Sequence, residues 1–105
     1  MERELENLEK ALAEYASAQI QHERAREALE LARATALLSG VIVGKNAEER
    51  EAQARTTLAE QYQAVQVTQE ALTWARTRLE MARERLSVAK IMQGVNDTAH
   101  AASAG

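Results

Sequence analysis

Residues 39–50, SGVIVGKNAEER, interrupt a chain that is otherwise patterned as helix. Gly40 can take the left-handed conformation that ends a helix, and the residues after it would then fold back on the last turn. Asn46, followed three residues later by Glu49, has the pattern of a capping box, which starts a new helix. This segment therefore predicts a break between two helices.

On both sides of the break, apolar residues recur in steps of three and four, which is the helical period. We predict a first helix over about residues 2–38, a turn at 39–46 and a second helix over about 47–93, with Gly94 as its stop. Residues 96–105 are small and polar, and we expect a disordered tail. Two long helices joined by a short turn fold back as an antiparallel hairpin.

The composition favours one all-α domain, a coiled-coil-like two-helix hairpin over residues 1–95. The 105 residues include no proline, cysteine or phenylalanine. No disulfide or cysteine-ligated zinc scaffold is then available, and the scarcity of turn residues argues against a β-sandwich. No signal segment is visible, and the uncharged stretch 34–44 is too short to cross a bilayer. We expect a cytoplasmic protein with no membrane contact.

The predicted line of contact between the two helices, here called the seam, is rich in alanine. On the second helix the seam takes Leu72, Ala75, Leu79, Ala82, Leu86 and Ala89. On the first helix it takes Leu5, Leu8, Ala11, Leu12, Tyr15, Ala18, His22, Ala25, Leu29, Ala32 and Ala36. A turn centred near Val43 sets Glu2 opposite Arg83 and Glu9 opposite Arg76, and such opposite charges favour that register. Because alanine buries little area, the hairpin is expected to bury a further surface.

A second apolar stripe follows the second helix away from the seam. It consists of residues at intervals of seven: Val67, Trp74, Met81, Val88 and Val95. A helix that packs on one face only would be polar at these positions. Scattered surface apolar residues are the alternative. Tryptophan and methionine are enriched in interface cores, so we predict an oligomer interface filled by a second copy, with a dimer forming a four-helix bundle.

Two more apolar groups are candidates for docking a protein partner. At the tip, Val41, Ile42 and Val43 either fold back as a hydrophobic staple or face outward as a docking surface. At the other end the second helix is predicted to extend beyond the first by about ten residues. That extension would leave Leu86, Val88, Ile91 and Met92 uncovered, so Ile91 and Met92 join the docking candidates.

The sequence has no pattern typical of catalysis or metal binding. His22 lies on the seam, where a packed and hydrogen-bonded histidine is expected near Tyr62 or Val65, and His100 lies in the tail. No two histidines have metal-ligand spacing. The turn has three residues between its glycines and Asn46 after its lysine, so it departs from the phosphate-loop pattern. We expect no enzyme, no cofactor and no metal.

A basic group on the second helix raises the question of nucleic acid. It consists of Arg76, Arg78, Arg83, Arg85 and Lys90. The predicted register pairs it with Glu2, Glu4 and Glu9. A salt-sensitive contact with phosphates is the alternative. The chain lacks the aromatic platform that single-strand binders use, which counts against direct binding.

Residues 43–53, VGKNAEEREAQ, resemble a segment of small phage and prophage helical proteins of unassigned function. Their layout, a helix, a GKNAEER-type turn and a second long helix, is similar to residues 1–95 here. The resemblance implies a phage origin and an accessory role in DNA metabolism, and it transfers no catalytic residue.

These observations predict a non-enzymatic, self-associating helical-hairpin adaptor, phage-encoded, that acts by protein–protein interaction. Two alternatives stay open. One is a nucleic-acid-associated accessory factor in phage recombination or replication, which would use the basic group. The other is an inhibitor of a host enzyme or defence complex.

Overall fold

A computed structural model describes the backbone of residues 1–104 and the side chains of residues 1–99. Over that part the chain is all-α, with helices α1 (Glu2–Leu38), α2 (Ala47–Thr57) and α3 (Ala59–Ala104) and no strand. The contacts divide the chain into two compact units. We call Ala18–Leu72 the loop unit, and Met1–Ser17 together with Thr73–Gly105 the terminal unit.

Gly40 ends α1 as predicted, with a positive φ of 79°. The backbone N–H groups of Val41 and Ile42 both donate to the carbonyl of Ala36, at 3.0 and 3.2 Å. This closing turn points the Ile42 side chain inward, where it is only 4% exposed and belongs to a cluster with Ala36 and Leu58. The loop therefore contributes a core residue to the loop unit.

The start of α2 is held by reciprocal hydrogen bonds between side chains and backbone. Asn46 is the N-cap, and its Oδ1 accepts from the Glu49 N–H at 2.9 Å. The Glu49 carboxylate in turn accepts from the Lys45 N–H at 2.8 Å, which satisfies a second donor. Gly44 packs so closely on this turn that a Cβ there would lie 2.6 Å from the Arg50 nitrogen. The Asn46 half of the predicted capping box is confirmed, while Glu49 accepts from the residue before the N-cap, Lys45, and not from the N–H of Asn46 itself.

The predicted second helix is divided at Leu58, which the sequence did not predict. Leu58 leaves helical geometry at φ −110° and ψ 32°, although its N–H still donates to the Ala54 carbonyl at 2.8 Å. Just before it, the Thr56 hydroxyl donates to the Ala52 carbonyl, a bond that bends helices. Leu58 is buried beside Ile42, so packing reinforces the bend.

Within each unit the contacts between α1 and α3 follow antiparallel order. In the loop unit His22 Nδ1 lies 3.0 Å from Thr68 Oγ1, and Arg33 Nη1 donates to the Tyr62 hydroxyl at 2.7 Å. In the terminal unit Arg78 Nε lies 3.4 Å from Glu14 Oε2.

The observed partners lie several residues later in α3 than the predicted register placed them. The pairing of Glu2 with Arg83 and of Glu9 with Arg76 is therefore wrong. The reason is the loop: after Gly40 reverses the chain, residues 41–46 run back before α2 begins, which centres the turn nearer Asn46 than Val43.

The seam on α3 is confirmed, while the seam on α1 is corrected at two leucines. Leu72, Ala75, Leu79, Ala82 and Leu86 are all buried. On α1, Ala11 is buried, and Leu8 and Tyr15 pack against the cluster that it forms with Leu79 and Ala82. Leu5 and Leu12 are instead 46% and 43% exposed. Leu8, Ala11 and Tyr15 form the contact face of α1 here, which leaves Leu5 and Leu12 on its flank.

The predicted stop at Gly94 and the predicted tail from residue 96 are also corrected, because α3 continues to Ala104. Glycine inside a helix costs only about 1 kcal/mol relative to alanine, and no proline follows it. Bonds across one turn support the continuation: the Gln93 amide donates to Asp97 at 3.2 Å, and the Thr98 hydroxyl donates to the Gly94 carbonyl at 2.9 Å. The side chain of His100 lies outside the described residues.

Candidate protein-interaction surface

The terminal unit carries an exposed apolar face on α3, which we call the stripe. Trp74, Met81, Val88 and Val95 are 64%, 46%, 56% and 56% exposed. Their seven-residue spacing keeps them on one side of the helix, away from the buried seam residues. Four predicted interface residues thus lie on one face that this unit does not cover. The fifth, Val67, belongs to the loop unit, where it is exposed.

Three of the four apolar residues predicted to be uncovered near the end of α3 are exposed. Val88 lies on the stripe, and Ile91 and Met92 lie open beside it, as predicted. Leu86 is buried, against expectation. The uncovered part of α3 therefore starts later than predicted, and it extends the stripe with two more apolar side chains.

Charged residues lie on both edges of the stripe. Residues four positions after Trp74 and Met81 are Arg78 and Arg85, on one edge. Residues three positions after the same two side chains are Thr77 and Glu84, on the other edge. The stripe thus has one basic edge and one edge with an acidic residue.

Two residues of the basic group, Arg76 and Arg78, have partners within the terminal unit. The Arg76 guanidinium lies over the Tyr15 ring, 5.9 Å from its centroid, and Arg78 forms its ion pair with Glu14. These partners differ from the glutamates that the predicted register assigned. Arg83, Arg85 and Lys90 are exposed: Arg85 lies on the basic edge of the stripe, with Glu80 and Glu84 nearby in sequence.

At the tip of the loop unit, the structure divides the three predicted docking residues. Ile42 is in the core, so its assignment to docking is wrong and the staple interpretation holds for it. Val41 and Val43 face outward at 57% and 69% exposure. The loop that carries them is fixed, because the N–H groups of Val43 and Gly44 both donate to the Gln53 side-chain oxygen, at 2.8 and 3.1 Å.

The loop unit also holds a polar network that the sequence did not reveal. Arg33 pairs with Glu51 at 2.9 Å, and the Tyr62 hydroxyl accepts from Arg33 and donates to Glu51. Arg55 lies over the Tyr62 ring at 4.9 Å and pairs with Glu51 at 3.3 Å. One residue each from α1 and α3 thus meets two from α2. Their spacing in sequence follows no motif, so only a structure brings them together.

Charge and hydrogen bonding shift two pKa values in this network. Desolvation acts to raise the pKa of Glu51, but the Tyr62 hydrogen bond and the charge of Arg33 outweigh it, and the net pKa is lowered. Desolvation acts to lower the pKa of Arg33, but Tyr62 and Glu51 outweigh it, and the net pKa is raised. Both ions are therefore stabilised in the folded state.

His22 is bound as the sequence predicts, in an open groove of about 940 Å³ that Tyr62 and Val65 help to line. The Thr68 hydroxyl donates its one proton to a backbone carbonyl, at 2.7 Å from that of Ala64. Its oxygen is then left to accept from the Nδ1–H of His22. Such a histidine has a structural partner on its Nδ1 side.

Among the described residues, no three acidic or histidine side chains are grouped closely enough to hold a metal ion. No helix in the same part of the chain is long and apolar enough to cross a membrane. Comparison of the chain with protein families, with curated proteins and with solved structures gives no significant match. The phage resemblance of residues 43–53 thus stays a prediction.

Proposed function

We propose that the protein is a non-enzymatic adaptor of the cytoplasm, in which the helical hairpin pairs with a second copy through the stripe of the terminal unit. The exposure of Trp74, the only tryptophan of the chain, in line with Met81 and Val88 carries this proposal. Contiguous apolar patches on soluble proteins are typically functional, and Trp is the side chain most enriched at the energetic centre of interfaces.

The thin core of the hairpin supports this proposal. Among the described residues no large side chain is fully buried, and alanine makes up half of the buried apolar residues. A contact line of this kind contributes little hydrophobic free energy. Pairing of two stripes would bury the large side chains that the seam leaves out.

The area of the stripe is enough for a weak dimer. Each half-exposed aliphatic or aromatic side chain offers on the order of 100 Å², so the six side chains from Trp74 to Val95 offer about 500–600 Å² per copy. Two copies together approach about 1,000–1,200 Å², the lower end of specific interfaces. A second copy fits this surface best, because a two-fold pair needs only one apolar patch, used by both partners.

Light scattering across a concentration series tests the proposal. We expect the wild type to rise from the 11.6 kDa monomer to twice that mass. Trp74→Ala should remain monomeric at concentrations where the wild type is dimeric, with its helical circular dichroism signal retained. Leu31→Ala is the matched control, because Leu31 is an exposed apolar residue of the loop unit, at 70% exposure, and its loss should leave the dimer intact. A wild-type protein that stays monomeric, or a Trp74→Ala variant that keeps the dimer mass, would overturn the proposal.

Nucleic-acid binding has weaker support as an alternative. Arg76 and Arg78 have partners within the terminal unit, and acidic Glu80 and Glu84 alternate with the remaining basic residues. A basic face interrupted in this way attracts phosphate less than a continuous one.

A further inference from the structure

We infer that the two α3 helices pair in parallel, with Trp74 facing Trp74 and Met81 facing Met81 of the second copy, and with Arg85 of each copy beside Glu84 of the other. This inference rests on the proposed function, since it names the orientation of that same interface. It follows from the distribution of charge on the two edges of the stripe.

The two possible two-fold pairings bring different edges together. In a parallel pair, with the symmetry axis along the helices, the basic edge of one copy faces the opposite edge of the other. In an antiparallel pair, each edge faces its own counterpart. The orientation therefore decides which charges meet.

In the parallel pair, Arg85 and Glu84 of the second copy lie at nearly the same height, and symmetry forms this contact twice. Because the stripe runs from Trp74 to Val95, an antiparallel pair that overlaps fully is centred between Glu84 and Arg85. There Arg85 would meet Arg85 of the second copy, and Glu84 would meet Glu84. Opposite charges beside an apolar helical contact select orientation, and like charges disfavour it. Charge complementarity thus favours the parallel pair.

Arg85 and Glu84 are available for this contact. Both side chains are exposed, and within the described residues no ion pair engages either of them. Arg78, by contrast, is already paired with Glu14, which partly neutralises its charge. The antiparallel pair would bring two unpaired Arg85 side chains together.

Cysteine cross-linking tests the orientation, and no native cysteine can form a competing disulfide, because the chain has none. We expect Val88→Cys to form a disulfide-linked dimer under mild oxidation, since the two positions meet in a parallel pair. In the fully overlapping antiparallel pair they would be about 10 Å apart along the axis, whereas a disulfide needs Cα atoms within about 7 Å. A mixture of the Met81→Cys and Val88→Cys proteins tests the antiparallel pair, because there Met81 faces Val88 of the second copy. Leu31→Cys, in the loop unit, reports random collision.

The outcomes separate the orientation from the proposed function. A mixed disulfide between Met81→Cys and Val88→Cys, with neither variant cross-linked to itself, would overturn the parallel pairing and leave self-association standing. A dimeric mass with no cross-link in any of these experiments would place the interface elsewhere and overturn both. A monomeric mass at every concentration would overturn the proposed function directly.

Reversing one charge gives a second readout that differs between the two orientations. In the parallel pair, Arg85→Glu places two carboxylates together and should weaken the dimer about two- to tenfold, and the double change Arg85→Glu with Glu84→Arg should restore it. In the fully overlapping antiparallel pair, like charges meet before and after the single change, so association should stay at the wild-type level. Unchanged or tighter association of the single variant therefore contradicts the inference.

Discussion

The loop unit and the terminal unit are built from the same two long helices, yet they are stabilised differently. The loop unit buries Ile42, Ala54 and Leu58 beneath a fixed loop and joins three helices through the network around Glu51. The terminal unit has an alanine-rich seam around Ala11 and Ala82, and it leaves the stripe exposed. The loop unit also exposes apolar side chains, such as Leu31 and Leu38, but they are spread over α1 and the loop, whereas the terminal unit concentrates its own on α3.

This difference indicates which unit would be stabilised by a partner. Apolar area left in water contributes nothing to stability, so the terminal unit gains most from association. The loop unit has already placed its best apolar side chain, Ile42, inside its own core. A substitution in the loop unit should therefore act on the monomer, and one in the stripe should act on the dimer.

Among the tests of this comparison, replacement of Ile42 has the largest expected effect on the free energy of unfolding. Ile42→Ala should lower the free energy of unfolding by about 2–5 kcal/mol, because it opens a cavity between α1, α2 and the loop. The loss should be the same at every protein concentration, as measured by urea denaturation followed by circular dichroism. A loss that appears only at concentrations where the protein is dimeric would contradict the division between the units.

The adjacent Val43 is the matched control for Ile42. It is a similar β-branched residue on the same loop, but it is 69% exposed. Val43→Ala should change the free energy of unfolding by no more than about 0.5 kcal/mol. Equal losses from the two variants would show that the loop does not discriminate between an inward and an outward side chain.

Acid should weaken the loop unit through Glu51. The pKa of this carboxyl is lowered below its ordinary value of 4.5, so the folded state binds fewer protons than the unfolded state in that range. The contribution is present above pH 4.5 and is lost as the pH falls through the lowered pKa. The Tm should therefore fall on acidification, and the fall should be shallower in Glu51→Gln.

The control for this titration is Glu30→Gln, an exposed carboxylate of the same unit. It should keep the wild-type dependence of Tm on pH. If Glu30→Gln flattens the profile as much as Glu51→Gln, the acid effect arises from total charge and not from the network with Tyr62 and Arg33.

The sequence predicted those features that depend on local patterns. The Asn46 cap of α2 and the leucine–alanine seam of α3 from Leu72 to Leu86 follow from spacing alone, and both are confirmed. The end of α1 at Leu38 is confirmed for the same reason, since Gly40 supplies the left-handed turn. The exposure of Trp74 also follows from its helical position.

Features that depend on tertiary geometry could not be predicted from the sequence. The register depends on how many residues the loop consumes, and that number follows from the inward turn of Ile42. The bend at Leu58 has no glycine or proline to mark it. The network of Arg33, Glu51 and Tyr62 joins three helices across a distance in sequence that no pattern encodes.

The smallest expected effects come from two glycines, one in each unit, whose replacement by alanine should have opposite signs. Gly40→Ala should destabilise by about 1 kcal/mol, because its φ of 79° is strained for any residue with a Cβ. Gly94→Ala should stabilise by about 0.5–1 kcal/mol, since Gly94 lies inside α3 and a Cβ there meets nothing within 4 Å. Thermal denaturation of both variants at one protein concentration measures the difference. A destabilising Gly94→Ala would mean that α3 ends where the sequence suggested, and the stripe would then lose its last residue, Val95.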